Sequence, residues 1–383
     1  MKKVLFLIDT VQTGGAEKSL SLIAEYFTEY EPVFVQIYVG SNRRPSAITN
    51  SNIRVIYLNI EGKYNFGEAV KALVPVYERE KPDVVHSTLF KADIISRRLK
   101  KKYPGIPLIN SFVNNSYGKI RYKNLPLKQK ATLKLVELYD RYTAKSVDFF
   151  ISNSQAIKET NTKALHIDPN EVKVIFRGRE IPENDFSEDV LQNLKRELQV
   201  ENKTVLINVG RQMERKGQFD LIESLPKVFK KNPNCVLILA GEGPIRPMLE
   251  KRTKELGLEK SILILGHRKD VLELLAISNI FVFPSYYEGL PGALLEAMIA
   301  GKLIVCSDIP ENKECTNQES ALFFEVGNRE ALSNQLDYAI KYEENLQHLK
   351  EQAKEQAKQK FDVKQIAVKY EEVYNNLKDT FSS

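Results

Sequence analysis

A chain of 383 residues with three cysteines and four histidines has little to build a metal site or a disulfide framework from. Cys235, Cys306 and Cys315 form no close pair, and their odd, sparse count argues against structural disulfides. The scattered histidines give no metal-ligand spacing, so no metal is expected. No apolar run approaches the eighteen or more residues of a spanning helix. The first such run, Val4–Ile8, ends at Asp9 and is too short for a secretory leader. The expectation is therefore a cytoplasmic protein, with the inner face of the cell membrane as a peripheral location. Short repeats, low-complexity tracts and nucleic-acid recognition motifs are absent, so no nucleic-acid partner is expected.

What is present is ordinary globular material: 43% hydrophobic and 28% charged residues, enough for two sizeable cores. The length suits two domains of roughly 180 residues each. Short β-branched runs alternate with longer helical stretches, the pattern of βαβ units around parallel sheets. In the first half Val4–Ile8, Val33–Tyr38, Ile53–Leu58, Val84–His86, Leu108–Phe112 and Phe149–Ser152 read as strands. Ala16–Phe27, Gly67–Arg79, Lys91–Lys102 and Lys128–Thr143 read as the helices between them. A second series places strands at Thr204–Val209, Val236–Ala240, Ile262–Leu265, Ile280–Phe283 and Leu303–Ser307. Its helices are Gln218–Lys230, Ile245–Leu256, Val271–Ile277 and Ala293–Ala300. The apolar-poor segment Arg177–Asp189 suits a linker, and the amphipathic tail from Val363 suits a closing helix. The expected division is 1–180, completed by the helix 363–383, and 190–362.

Charge is unevenly spread. Between Lys91 and Lys134 stand twelve Lys or Arg against Asp93 alone, in a chain whose net charge is +6. A solvated basic face explains this, and so does a surface that meets anionic phospholipid or a phosphate-bearing acceptor.

Ligands of open α/β sheets bind at the carboxyl ends of the strands, and three segments there carry chemistry. Asp9–Glu17 contains Gly14-Gly15 at a strand-to-helix turn, either a plain helix start or an anion cradle; it lacks G-x-G-x-x-G. Gly210-Arg211 and Lys216-Gly217 follow the strand Thr204–Val209, where two cations can clamp a diphosphate or merely decorate a surface loop. Glu288-Gly289-Leu290-Pro291-Gly292 follows the strand Ile280–Phe283 and opens a helix that carries Glu296. Two carboxylates along one axis can hold separate hydroxyl sets of an elongated ligand. Glu296 sits between Leu295 and Ala297, where an unpaired acid would be costly.

Glu288 and Glu296, with seven residues between them around Gly-Leu-Pro, resemble the paired-glutamate motif of glycosyltransferase family 4. Gly14-Gly15-Ala16-Glu17, Val209-Gly210-Arg211, Lys216-Gly217, Gly241-Glu242-Gly243-Pro244 and Gly266-His267-Arg268 agree in order and spacing over nearly the whole chain. The resemblance implies the GT-B fold, two Rossmann-like doubly wound parallel-sheet domains facing across a cleft. It implies a retaining, metal-independent transferase without bound cofactor, using a nucleoside-diphosphate sugar, a UDP-sugar first. Arg211 and Lys216 would bind the diphosphate, Glu288 the transferred sugar near its anomeric centre, and Glu296 the ribose. Gly14, Gly15, Gly210, Gly289, Leu290 and Pro291 would line the donor, with the backbone at His267 and Arg268 meeting the base. His86 and Asn114 fall on the acceptor side; where the family often places a histidine, this chain has Val113 or Asn114. The implied partner is a saccharide acceptor carried on lipid, at an anionic membrane surface. A nucleotide-sugar 2-epimerase and a binding subunit without catalysis are the alternatives.

Overall fold

The structure is a computed structural model and describes residues 1–383 except 13–14, 41–45, 47, 49, 51, 63, 119–120, 123–124, 183–185 and 383. Gly14, Lys119 and Lys123 thus lie outside the described residues. The chain divides into two compact units, Met1–Glu180 with Phe361–Ser383, and Ile181–Lys360.

The first unit is a seven-stranded sheet of β1 (Lys2–Ile8), β2 (Tyr30–Tyr38), β3 (Arg54–Ile60), β4 (Val84–Thr88), β5 (Leu108–Phe112), β6 (Phe149–Ser152) and β7 (Val172–Val174). Their order is β3-β2-β1-β4-β5-β6-β7, every pair parallel. Parallel strands are covered on both faces, which is why β1 reads as a continuous apolar run. Its alternate residues go to opposite cores. Leu5 and Leu7 pack with Leu73, Ile95 and Leu99 of the helices Phe66–Glu80 and Phe90–Lys102. Val4 and Phe6 pack with Ile366, Tyr370 and Tyr374 of the closing helix Val363–Ser382. That helix is locked by Glu371, whose carboxylate accepts the backbone N–H groups of Thr28, Glu29 and Tyr30 at 2.7–3.1 Å.

The second unit holds β8 (Thr204–Val209), β9 (Cys235–Ala240), β10 (Ile262–Gly266), β11 (Ile280–Phe283), β12 (Leu303–Ser307) and β13 (Leu322–Phe324). They run in the order β10-β9-β8-β11-β12-β13, again all parallel.

The strands expected from sequence all form. β7 and β13, three residues each, are too short to show a period. The helices Gln155–Leu165, Glu188–Leu198, Arg329–Lys341 and Gln347–Phe361 were not expected, their polar faces hiding the apolar spacing. The reading of Arg177–Asp189 as linker needs correction at both ends. Arg177 is buried, and a Cβ on Gly178 would stand 2.5 Å from the Val363 Cα. Arg179 donates its N–H to the Phe361 carbonyl at 2.7 Å. Arg177–Arg179 therefore belongs to the first unit's core, where the Arg179 guanidinium also donates to Ser19 Oγ at 3.0 Å, and the change of unit comes between Glu180 and Ile181. At the other end Glu188 already begins a helix.

Candidate functional site

Each sheet changes winding direction once, between β1 and β4 in the first unit and between β8 and β11 in the second. The carboxyl ends of the strands beside such a switch point are the expected ligand position in this topology.

In the second unit the loop after β8 and the loop after β11 are zipped together. Gly217, with φ +68°, lies so close that a Cβ would come within 2.1 Å of the Pro284 carbonyl oxygen. Tyr286 donates its N–H to the Arg215 carbonyl at 2.8 Å. The loop after β9 is drawn in as well: Gln212 donates its N–H to the Glu242 carbonyl at 2.9 Å. A Cβ on Gly241 would stand 2.1 Å from the Gly210 oxygen, and one on Gly243 1.9 Å from that of Gln212. Glycine is required here because backbone meets backbone.

That packing sets the charges. Lys216 Nζ donates to Glu288 Oε1 at 2.6 Å, and Arg215 donates to Glu288 Oε2 and to the Tyr287 carbonyl, both at 3.0 Å. Glu288 is buried. Burial alone would raise its carboxyl, but Lys216 and Arg215 outweigh it and hold it below the ordinary carboxylate range. Glu311, buried at the start of the helix Pro310–Cys315, is pushed the other way, by burial first and then by the charge of Glu288. Gln212 is 1% exposed, and both ends of its side-chain amide lack a hydrogen-bond partner in the protein. Such a buried amide on the loop that carries Lys216 suits a polar ligand.

The remaining donor-side residues are spread over the same sheet edge. Arg211 is exposed just past Gly210, with no ion pair among the described residues. Gly289 and Leu290 are half-buried and Pro291 is buried, leading into the helix Gly292–Ile299, where Glu296 is half-buried. The free N–H groups of that first turn suit an anion. His267 is exposed after β10; the guanidinium of Arg268 is held by Asp270 at 2.6 Å and Glu197 at 3.2 Å, leaving its backbone for a ligand. The structure thus joins Lys216 and Glu288 directly and adds Arg215 and Glu311, which the sequence reading missed. Arg215 stands beside Lys216 in the same motif; nothing in the spacing says which of Arg211 and Arg215 turns inward.

The first unit uses its polar groups differently. Asp9, after β1, pairs with Lys91, after β4, at 3.3 Å. These two, with Tyr64, Tyr117, Arg121 and Gln129, help to line a cavity of about 450 Å³ at the carboxyl ends of β1, β4 and β5. Gly15 is exposed at the start of the helix Gly15–Ala24. Asn114 is exposed beyond β5, its carbonyl accepting from Asn161 at 3.1 Å. His86 reaches no surface. It is fully buried, with Nδ1 2.8 Å from the Tyr374 hydroxyl and Nε2 2.7 Å from Ser111 Oγ. Burial lowers it to about 3, so it stays neutral. Its place on the acceptor side is corrected accordingly: it is a core histidine that ties β4 to the closing helix.

Two family models match the chain, that of Glycosyltransferase Family 4 over residues 13–181 and that of Glycosyl transferases group 1 over residues 190–356. Among curated relatives, a capsular polysaccharide biosynthesis glycosyltransferase of Staphylococcus aureus is 27% identical, covering 85% of this chain and 87% of its own. The UDP-Gal:α-D-GlcNAc-diphosphoundecaprenol α-1,3-galactosyltransferase of Escherichia coli is 28% identical over 63% of each chain. An uncharacterised glycosyltransferase of Methanocaldococcus jannaschii is 31% identical. The matched part of this chain spans 49% of that archaeal protein's length. Anabaena HepE, solved in complex with UDP-glucose, superposes with a TM-score of 0.84 at 21% identity, covering 98% of this chain and 100% of the other. That likeness establishes a shared fold, GT-B.

Proposed function

Since the chain belongs to glycosyltransferase family 4, we propose that it moves a hexosyl or N-acetylhexosaminyl group, with retention, from a nucleoside-diphosphate sugar to a lipid-linked saccharide, in cell-surface polysaccharide assembly. The observation that carries this is the buried Glu288 held by Lys216 and Arg215 at the β8/β11 switch point. A carboxylate with two cations suits a ligand that joins hydroxyls to a diphosphate. As the nucleoside diphosphate departs, negative charge grows on its β-phosphate, where Lys216, Arg211 and the amides opening the helix Gly292–Ile299 would stabilise it. Positive charge developing on the sugar ring is offset by that phosphate and by Glu288. The leaving phosphate can take the acceptor's proton, so the reading asks for no separate base, and none is assigned to His86.

Support for the acceptor class comes from the relatives: the Escherichia coli protein is named for transfer to a saccharide on diphosphoundecaprenol, the Staphylococcus aureus one for capsule synthesis. The first unit's cavity, with Lys91, Arg121, Tyr64 and Tyr117 around it, offers cations and aromatic faces for a phosphosaccharide. A UDP-sugar is the first donor to try, because the galactosyl relative names one. The test is incubation of the protein with labelled UDP-sugars and lipid-diphosphate saccharides, beside a thermal-shift panel of nucleoside diphosphates. Labelled lipid product is expected; the absence of both transfer and slow donor hydrolysis with every nucleotide sugar tried would overturn the reading.

A further inference from the structure

Only part of the basic stretch Lys91–Lys134 is spent on acids of the fold, since Arg98, Lys101, Lys102, Arg121, Lys128 and Lys134 are exposed. Arg97 is buried against Asp140 at 2.5 Å, Lys100 pairs with Asp148, Lys91 with Asp9 and Lys134 with Glu137. What remains unexplained is the helix Leu127–Ala144. Leu127 is 86% exposed, Leu135 68%, Leu138 45% and Tyr142 71%. With the exposed Ala131, these residues recur every three or four positions. At 3.6 residues per turn they fall within an arc of about 80°, a solvent-facing apolar stripe. The helix's acids are on its other side: Glu137 and Asp140 are both buried, holding Lys134, Arg141, Arg97, Tyr117 and Tyr122. Lys128, Lys134 and Lys145 rim the stripe in solvent. On the neighbouring helix Arg98 is exposed and donates to the Tyr139 hydroxyl at 3.0 Å.

We infer that this helix is an in-plane membrane anchor, its leucines and Tyr142 entering the headgroup–acyl boundary of an anionic bilayer while the lysines meet lipid phosphate. An apolar face flanked by cations, on a helix about 27 Å long, has the form of an interfacial helix. A second copy of the chain is the poorer occupant. A two-fold contact sets the patch against itself, and here lysine would face lysine with no acid on the exposed face to answer it. The inference rests on the lipid-linked acceptor reading only in choosing lipid as the occupant.

The chain contains no tryptophan, so Leu138→Trp installs a single reporter. Mixed with vesicles of equimolar phosphatidylglycerol and phosphatidylcholine, and no sugar nucleotide, its emission shifts to the blue and is quenched by brominated acyl chains. The full-length wild type co-sediments with these vesicles and keeps part of its binding at high salt. Leu135→Ser/Leu138→Ser/Tyr142→Ser weakens that binding at least about tenfold, with the melting temperature and UDP-induced thermal shift unchanged. Lys128→Glu/Lys145→Glu removes the salt-sensitive part. Unshifted tryptophan emission, wild-type sedimentation of the triple variant, or a wild-type dimer that the triple variant dissolves would each overturn the inference. Transfer activity is a separate readout, so vesicle binding without transfer sinks only the functional reading.

Discussion

The two sheets share one topology yet spend their buried polar groups in opposite places. In the second unit Glu288, Lys216 and Arg215 gather in the loops beyond β8 and β11, at the edge where a ligand arrives. In the first unit the densest polar network lies within the sheet and its covering helices. Arg97 donates to Asn110 and Asp140, Tyr117 donates to Asp140, and Ser87 donates to Asp93. Burial pushes Asp93 up to about 7. The first cluster sits on glycine-locked loops at the strand ends, where ligands of this topology bind; the second lies between strand and helix, away from them. The difference teaches that burial and ionisable character alone do not single out a candidate site in this molecule, and that position relative to the strand ends is the added criterion.

Arg97→Met should strike stability hardest, since removing one partner of a buried pair costs about 3–5 kcal/mol. Urea unfolding measures it, and the UDP-induced thermal shift of the surviving fold should be intact. If Arg97→Met instead abolished UDP binding while leaving stability alone, the contrast between the units would fail. Glu288→Gln should do the reverse, lowering transfer about 10²–10³-fold, an effect of the size expected for lost electrostatic complementarity. Steady-state kinetics with a labelled donor would show it, against a small change in melting temperature. Lys216→Met should weaken nucleoside diphosphate binding in titration calorimetry for the same reason.

Gly217→Ala tests whether the glycine lock holds those charges in place. Its Cβ would meet the Pro284 oxygen in a backbone region that costs about 1–3 kcal/mol. A fall of several degrees in melting temperature together with weaker UDP binding is expected; loss of only one would uncouple the lock from the site. The smallest effect concerns His86. Its folded-state pKa lies below the unfolded 6.5, so its stabilising contribution is present above 6.5 and is lost as pH falls toward about 3. The stability gap between wild type and His86→Gln should therefore narrow on acidification through that window, and a constant gap would refute a neutral core role.

Much of the scaffold was legible because both-face burial writes parallel strands as unbroken apolar runs, as in Val4–Ile8 and Leu303–Ser307. Glu288, Lys216 and the glycines around them were legible for a related reason: strand-end loops need particular backbone conformations, and those leave a spacing. Arg215 was missed because neighbouring cations on one turn look alike until the turn is folded. Glu311 was missed because its depth is set by a short helix after β12, far along the chain from Glu288. His86 was misplaced because a histidine on a strand carries no mark of which core will close over it; Tyr374, 288 residues away, decides that.

By itself, then, the sequence determined two parallel α/β units and the strand ends where charge belongs, because local conformation and two-sided burial leave short-range traces. Tertiary structure alone decided which of many lysines and arginines are consumed by buried acids and which stay free. It also left the apolar stripe of Leu127–Ala144 facing solvent, since covering a surface is a property of what packs against it and not of the segment that bears it.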